Sequence, residues 1–312
     1  MTTLPSAGAA ASAPLAWTEE RLAALRGVAE AAGAAVLSVY ARWLAAPADA
    51  AASAVKLQHK PDDSPLTEAD LLADRLIRSR LGVVFRGHTV LSEEGAAAAD
   101  PAEVTAMAGG YFLVDPLDGT KEFLARNGEF TVNIAWVQGG RPTAAVVHAP
   151  ALGETFWGAV GVGAWKAAGG GSAVAGTTAD ARGNDGSVRR IRVAAPPGLG
   201  VPWRVLTSRS HGGAAQRAYL RRLPQPLSCI EAGSSLKFCR LAEGAADLYP
   251  RLTATMAWDT AAGQAVLEAA GGVVLGTEGA PLRVPGRPRE APNPPFIAAS
   301  GAELARRAVA AL

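Results

Sequence analysis

Asp115 and Asp118 lie three residues apart in the run YFLVDPLDGTKE, residues 111–122. An apolar stretch ends on Asp115, turns through Pro116 and Leu117, and sets the second carboxylate at the mouth of the same strand. Carboxylate oxygens are hard donors that suit Mg²⁺. Gly119 and Thr120 come next and open a short predicted helix, Lys121 to Arg126, whose first N–H groups are free to meet a phosphate oxygen. The chemistry on offer is metal-assisted phosphoryl transfer. Glu93, just after a predicted strand, and Asp259, at the start of a predicted helix, extend the set. Four converging carboxylates would bracket two or three Mg²⁺ ions roughly 3.5–4 Å apart, one activating water and another steadying the leaving oxygen.

Each residue also has an ordinary explanation. An Asp after a strand caps a turn, and Asp259 can cap the helix it opens. The hexapeptide Asp115 to Thr120 joins two carboxylates to a rigid Pro and a permissive Gly, which turn chemistry alone does not require. Asp70 follows Thr67 at capping-box spacing, and it is equally a candidate base that orients water or the Thr120 hydroxyl. Thr120 has the same two readings, helix cap or water holder. Gly233-Ser234-Ser235-x-Lys237 opens a helix with amides and hydroxyls for a phosphate or sugar, or is a plain helix start. Ser208 to His211, between a strand and a helix, offers donors and a flat ring for a base. His59, His88 and His148 have no partners at metal spacing and read as structural; Phe156, Trp157, Met256 and Trp258 read as core. A Walker loop and a G-x-G-x-x-G before a helix are both absent.

These groups need a scaffold. Thr18 is placed to cap a helix over 19–44, with Leu22, Leu25, Ala29, Ala32, Val36, Val39 and Trp43 at helical spacing. A second helix runs from Thr67 to about Leu81. Strands are expected at 89–91, 111–115, 131–138, 143–148, 154–159 and 163–167, with Gly139-Gly140 as a hairpin turn. Further on, strand and helix alternate: strand 203–207, helix 213–222, strand 227–230, helix 234–243, strand 245–249, helix 259–270, strand 272–275. That alternation argues for α/β layering. Residues 276–295 read as loop and 301–312 as a short helix. Residues 1–16 read as a disordered tail, 17–168 as an α+β metal-binding half and 188–312 as an α/β substrate-binding half, with 169–187 a flexible connection.

The bulk numbers fit a folded globular chain: 312 residues, 49% hydrophobic and 19% charged. A net charge of +2 gives no ground for nucleic-acid binding. The two cysteines, Cys229 and Cys239, make no disulfide framework. The start lacks a signal-peptide pattern, and no uninterrupted apolar run reaches the roughly 18 residues a membrane helix needs. A cytoplasmic protein without a membrane-integral segment is the expectation.

Glu93-Glu94 after Leu91-Ser92, the run Asp115 to Thr120, and Trp258-Asp259-Thr260 before Ala261-Ala262-Gly263 resemble the lithium-sensitive inositol monophosphatase superfamily. Ser64 to Asp70, Lys121 to Ala135 and Gly233 to Cys239 look most like its bisphosphate nucleotidase type, which removes the 3′-phosphate of adenosine 3′,5′-bisphosphate to leave AMP. The resemblance spans roughly residues 20–275. It implies a layered αβαβα sandwich and Mg²⁺ held by Glu93, Asp115, the carbonyl of Leu117, Asp118 and Asp259. It further implies that Asp70 and Thr120 position the nucleophilic water, and that the amides of Gly119 and Thr120 hold phosphate. Ser208, His211, Gly233, Ser234, Lys237 and Asp259 would face a small nucleotide substrate. Members often form homodimers and are inhibited by lithium. No Ser, Cys or Asp nucleophile motif is present, so direct attack by activated water is expected, without a phosphoenzyme. The relative of that substrate that keeps the 3′-phosphate and carries a 5′-phosphosulfate fits the same reading. An inositol monophosphatase or broad sugar phosphatase is the alternative enzyme, and an idle phosphate-binding regulatory protein the alternative outside enzymes.

Overall fold

Thr18 starts the first helix, α1 (Glu19–Ala45): its hydroxyl accepts from Arg21 N at 3.3 Å, and Glu19 and Glu20 sit at the positive end of the dipole. A single turn, α2 (Ala51–Ala54), and a small antiparallel pair, β1 (Gln58–His59) with β2 (Pro65–Leu66), lead to α3 (Glu68–Val84). Thr67 and Asp70 close a capping box at the start of α3. A computed structural model describes residues 15–47, 50–60, 63–95, 109–169, 187–198, 200–208, 213–224, 226–288 and 291–312. The expected tail at 1–16 and connection at 169–187 fall almost wholly outside the described residues.

α1 and α3 cover one face of a seven-stranded sheet whose strands follow chain order. These are β3 (Thr89–Ser92), β4 (Tyr111–Asp118), β5 (Thr131–Gln138), β6 (Arg141–Ala149), β7 (Glu154–Ala159), β8 (Gly163–Ala168) and β9 (Val188–Ile191). β3 and β4 are parallel, and the later pairs are antiparallel. Side chains alternate between two cores, as a strand's period of two demands. Phe112, Val114, Ile134, Trp136 and Val146 meet α1 and α3, whereas Leu113, Ala135, Val137, Val147 and Phe156 face the other way. With both faces covered, the central strands read as continuous apolar runs.

The second sheet has the order β11-β10-β12-β14-β13. It comprises β10 (Trp203–Ser208), β11 (Leu227–Ala232), β12 (Leu248–Arg251), β13 (Val273–Gly276) and β14 (Phe296–Ala299). β10 is parallel to both β11 and β12, while β14 runs antiparallel between β12 and β13. A short α4 (Thr120–Leu124) follows β4. α5 (Ala214–Arg222) and α8 (Ala302–Val309) pack on the outer face around Trp203, Tyr219 and Leu304, and α6 (Leu236–Ala242) and α7 (Ala257–Ala269) fill the space between the sheets. The layers are therefore α, β, α, β, α, as the sequence led us to expect. α7 packs against α6 at Gly263, where a Cβ would come within 2.4 Å of the Phe238 ring.

The differences from expectation are local. β4 runs through Pro116 to Asp118, with its register to β5 shifting between the two aspartates. The strand expected at 245–249 lies at 248–251, and β9 and β14 had no predicted counterpart. α4 begins at Thr120, one residue early, and ends at Leu124. By length and composition α1 passes for a membrane-crossing helix, although Arg26 and Glu30 interrupt its apolar run. Its Leu22, Leu25, Val36 and Tyr40 are buried in the core it shares with α3 and the first sheet.

An ionic cluster joins the first sheet to α6. Lys166 on β8 reaches Glu154 at 2.7 Å and Glu243 at 2.8 Å, and Arg240 reaches both carboxylates at 2.6 Å. Arg189 on β9 adds a contact to Glu243 at 3.1 Å. Burial would raise the Glu154 carboxyl, but Arg240 and Lys166 together hold it below its usual range. Removing one member leaves buried charge uncompensated. Arg240→Met should cost about 3 kcal/mol in urea unfolding; a loss below about 1 kcal/mol would assign the cluster no role in docking α6.

Candidate metal and phosphate site

The site begins where β4 breaks its ladder. Asp115 keeps its pairing with Asn133, the chain bulges through Pro116 and Leu117, and Asp118 rejoins opposite Thr131. Asp115 Oδ1 accepts from Leu117 N at 3.1 Å, which folds the turn over its own carboxylate. Gly119 has φ of 87°, a left-handed conformation, and a Cβ there would press on Glu129 O and Ser234 Cβ at 3.3 Å. Thr120 follows as the first residue of α4, and its Oγ1 donates to Leu117 O at 3.3 Å.

Asp118 is the structural centre. Its Oδ2 accepts from Ser235 N at 2.7 Å, lies 2.7 Å from Ser235 Oγ and accepts from Asn133 Nδ2 at 3.2 Å. Ser235 Oγ also lies 2.7 Å from the carbonyl of Asp259. Ser235 therefore ties the end of β4 to the start of α7. Asp259 occupies the third position of α7, where its Oδ2 caps Met256 N at 2.8 Å. The capping reading and the ligand reading of Asp259 coexist, because carboxylate oxygens of Asp115, Asp118 and Asp259 all lie within 4.8 Å of one another.

Burial raises all three carboxyls, and like charge adds to it for Asp115 and Asp259. Burial, then Glu93, Asp118 and Asp259, push the Asp115 carboxyl well above its ordinary value. Burial pushes Asp118 up as well, against the opposing bonds from Ser235. Asp259 is pushed up to about 8 by burial and by Asp118 and Glu93. An all-oxygen donor set carrying like charges in a buried place fits a hard divalent cation.

Glu93 N bonds Val114 O at 3.0 Å, which brings the turn after β3 to the end of β4. Its carboxylate lines the same cleft but belongs to an ion pair: Lys60 reaches Glu93 at 2.6 Å and Glu94 at 2.7 Å. Burial would lower the Lys60 ammonium, yet the two glutamates hold it above the usual lysine range. Asp70 has its Oδ2 committed to Thr67 N at 2.8 Å and Thr67 Oγ1 at 2.6 Å, while Oδ1 lies 3.5 Å from Thr120 Oγ1. Burial raises the Asp70 carboxyl to about 7. Cap and site residue are again one side chain.

The cleft has a volume of about 240 Å³, and Glu93, Asp118, Gly119, Thr120, Ser208, Ser234, Lys237 and Asp259 all line it. Leu117 is buried beneath, with its carbonyl on the Thr120 hydroxyl. Two of the expected nucleotide contacts are otherwise engaged. Gly233 N donates to Glu129 at 2.8 Å, and a Cβ at Gly233 would meet Glu122 and Glu129 at 3.0 Å. The buried Lys237 ammonium donates to Ala232 O at 3.2 Å and Ser234 O at 2.9 Å, so it braces its own turn. His211 lies outside the described residues. Sequence reasoning missed Ser235 as the bridge, Lys60 as the partner of Glu93, and Tyr249 and Arg251 on the cleft wall. The motif Gly233 to Lys237 contained Ser235, but nothing in local spacing announced what it would reach.

The inositol monophosphatase family model matches residues 17–311. The 3′(2′),5′-bisphosphate nucleotidase CysQ of Escherichia coli (strain K12) is 43% identical over 228 residues, which span 72% of this chain and 80% of that protein. Its counterpart in Salmonella typhimurium is 40% identical over 260 residues, spanning 82% and 90%. Among solved structures, CysQ from Bacteroides thetaiotaomicron, a bacterial member of the inositol monophosphatase family, aligns with a TM-score of 0.69 at 34% identity, covering 91% of this chain and 98% of that one.

The raised carboxyls set a pH dependence. Asp70 at about 7 and Asp259 at about 8 hold protons in the folded chain that they release near 3.8 when unfolded. Their contribution to stability is full below pH 4 and is lost as pH climbs through 7 and 8, because the folded state binds the extra protons. In EDTA the Tm should fall between about pH 5 and about pH 8.5, and added Mg²⁺ should raise it more at the alkaline end. Differential scanning fluorimetry checks both slopes; a metal-free Tm that rises across this window would contradict the carboxylate cluster.

Proposed function

The chain belongs to the inositol monophosphatase family, and on that premise we propose that it is a Mg²⁺-dependent phosphatase that removes the 3′-phosphate of adenosine 3′,5′-bisphosphate to give AMP. The observation that carries this reading is the convergence of Asp115, Asp118 and Asp259 within 4.8 Å at the mouth of β4. Support for the substrate comes from the relatives, which are 40–43% identical and are named bisphosphate nucleotidases. The proposal extends to the 5′-phosphosulfate relative, which carries the same 3′-phosphate.

Asp115, Asp118 and Asp259, with Glu93 and the Leu117 carbonyl, would hold two or three Mg²⁺ ions. Bound there, Mg²⁺ supplies charge neutralisation for the phosphate oxygens and lowers the pKa of a water nucleophile. The protein's own contribution is placement. Thr120 Oγ1 lies between Leu117 O and Asp70 Oδ1, at 3.3 and 3.5 Å, and orients the attacking water. Asp70, pushed up to about 7 by burial, sits in the range where a carboxylate accepts a proton at neutral pH. Thr67 fixes the other Asp70 oxygen and with it the orientation of the base. Ser234 and Ser208 line the cleft beside Gly119 and Thr120, on the side where the nucleoside would extend.

Phosphate release from adenosine 3′,5′-bisphosphate and inositol 1-phosphate, each with Mg²⁺, tests the substrate assignment as a ratio of kcat/KM. A preference for inositol 1-phosphate would overturn it. Asp115→Asn should lower kcat by about 10³-fold or more, with the circular-dichroism spectrum unchanged, since it removes one of the three converging carboxylates. A substantial residual rate at saturating Mg²⁺ would deny Asp115 that role.

A further inference from the structure

We propose that Asn133 and Ser235 are positioning residues that leave Asp118 one ligating oxygen instead of two, and thereby bias the acidic site toward Mg²⁺ over a larger cation such as Ca²⁺. The assignment rests on the Mg²⁺-dependent reading above.

Asp118 Oδ2 collects every hydrogen bond that this carboxylate receives among the described residues. Ser235 donates to it from N at 2.7 Å and lies against it with Oγ at 2.7 Å, Asn133 donates from Nδ2 at 3.2 Å, and Thr131 Oγ1 lies 3.4 Å away. Oδ1 receives none of them. Donors that served only to stabilise a buried negative charge could be shared between both oxygens, since each accepts. Crowding them onto one fills Oδ2 and leaves Oδ1 as the atom that Asp118 offers to the cleft it lines.

The other two carboxylates are also engaged through one oxygen. Asp115 Oδ1 accepts from Leu117 N at 3.1 Å, and Asp259 Oδ2 accepts from Met256 N at 2.8 Å. Those donors lie two and three residues away in the chain, so a turn and a helix cap account for them. The donors on Asp118 come instead from β5 and from the residue before α6, between 13 and 117 positions away. No local chain geometry places them there.

Asn133 supplies an independent sign. It is fully buried on β5 opposite Asp115, and its Nδ2 reaches both Asp118 Oδ2 and, at 2.9 Å, Ser235 Oγ. Its Oδ1 is buried and has no hydrogen-bond partner among the described residues. An unpaired buried carbonyl is unfavourable, and an apolar side chain of similar shape would avoid it. The amide therefore works against stability here, and what it provides is an N–H fixed on Asp118. Turning the amide over would set its oxygen against the carboxylate, so the orientation follows from charge.

The two cations differ in what they ask of a carboxylate. Mg²⁺ demands a tight, near-octahedral shell, whereas Ca²⁺ takes about six to eight oxygens in a looser one, often both from a single carboxylate. An Asp118 with Oδ2 occupied serves the first and refuses the two-oxygen grip that suits the second.

Calorimetric titration of the metal-free protein with Mg²⁺ alone and with Ca²⁺ alone, in wild type, Asn133→Leu and Ser235→Ala, tests this. Each substitution should narrow the preference for Mg²⁺ over Ca²⁺ by about 10-fold, chiefly by weakening Mg²⁺ binding, as loss of a group that orients a metal ligand does. Asn133→Leu should do so while its metal-free Tm equals or exceeds that of the wild type, because the unpaired carbonyl is removed with the amide. A role confined to stability predicts the reverse: a lower Tm and an unaltered cation ratio. Ser235→Ala keeps its backbone amide on Asp118 and decides the matter should Asn133→Leu not fold. If both cations weaken by one common factor, or neither changes, the assignment is overturned. Wild-type protein that takes up no Mg²⁺ in the titration removes the Mg²⁺ reading itself, a result read before either variant is compared.

Discussion

Three carboxylates that would repel one another are held together in a half-buried cleft, and the architecture is arranged around that constraint. Asp115 and Asp118 come from the carboxyl end of β4 and Asp259 from a helix in the middle layer, so their approach within 4.8 Å requires α7 to be fixed on the first sheet. Like charges at this separation in a region of low dielectric must be protonated or balanced by cations. The raised pKa values of all three express the first outcome, and a divalent ion would supply the second. Lys60 shows the same demand in miniature: one ammonium is shared between Glu93 and Glu94.

The clamp that keeps the repelling groups in place is neutral. Ser235 touches Asp118 through both its amide and its hydroxyl, touches the Asp259 carbonyl, and accepts from Asn133 Nδ2 at 2.9 Å. A hydroxyl suits this position because it can donate and accept without adding charge to an already acidic site. Behind it, α6 is pinned to the first sheet by the cluster of Glu154, Lys166, Arg240 and Glu243. The serine that holds the site and the arginine that anchors its helix thus belong to one short segment, 235–240, and a shift of α6 would reach Asp118 directly.

Local patterns were legible in the sequence to the extent that they encode local geometry. The turn Asp115 to Thr120, the box Thr67 to Asp70 and the Gly139-Gly140 hairpin each depend on residues a few positions apart, and each is present. The layered αβαβα arrangement was expected as well, through alternation in the second half and through resemblance. What stayed hidden depends on long-range contact. Nothing near Gly233 indicates that Glu129, about a hundred residues earlier, takes its amide, nor that Lys237 turns back on the carbonyls beside it. β14 was unreadable for a different reason: Phe296 to Ala299 is too short a run to separate from the helix that follows it. It exists because β12 and β13 both leave an edge that it pairs.

The way α7 is used explains why charge clustering and ligand recognition can be separate properties of one cleft. Its body packs against β5, β6 and β7, so the first residues of the helix are fixed by the first sheet even though its chain neighbours, β12 and β13, belong to the second. Asp259 at its start therefore keeps its distance from Asp115 and Asp118 independently of the side chains at the ends of β10 and β12. Ser208 and Arg251, by contrast, stand on strand ends that contribute no carboxylate to the cluster. Changes there alter the wall of the cleft without moving the acidic centre. A fold built in this way holds the acidic residues in place from the first sheet while the strand ends of the second sheet supply part of the cleft wall.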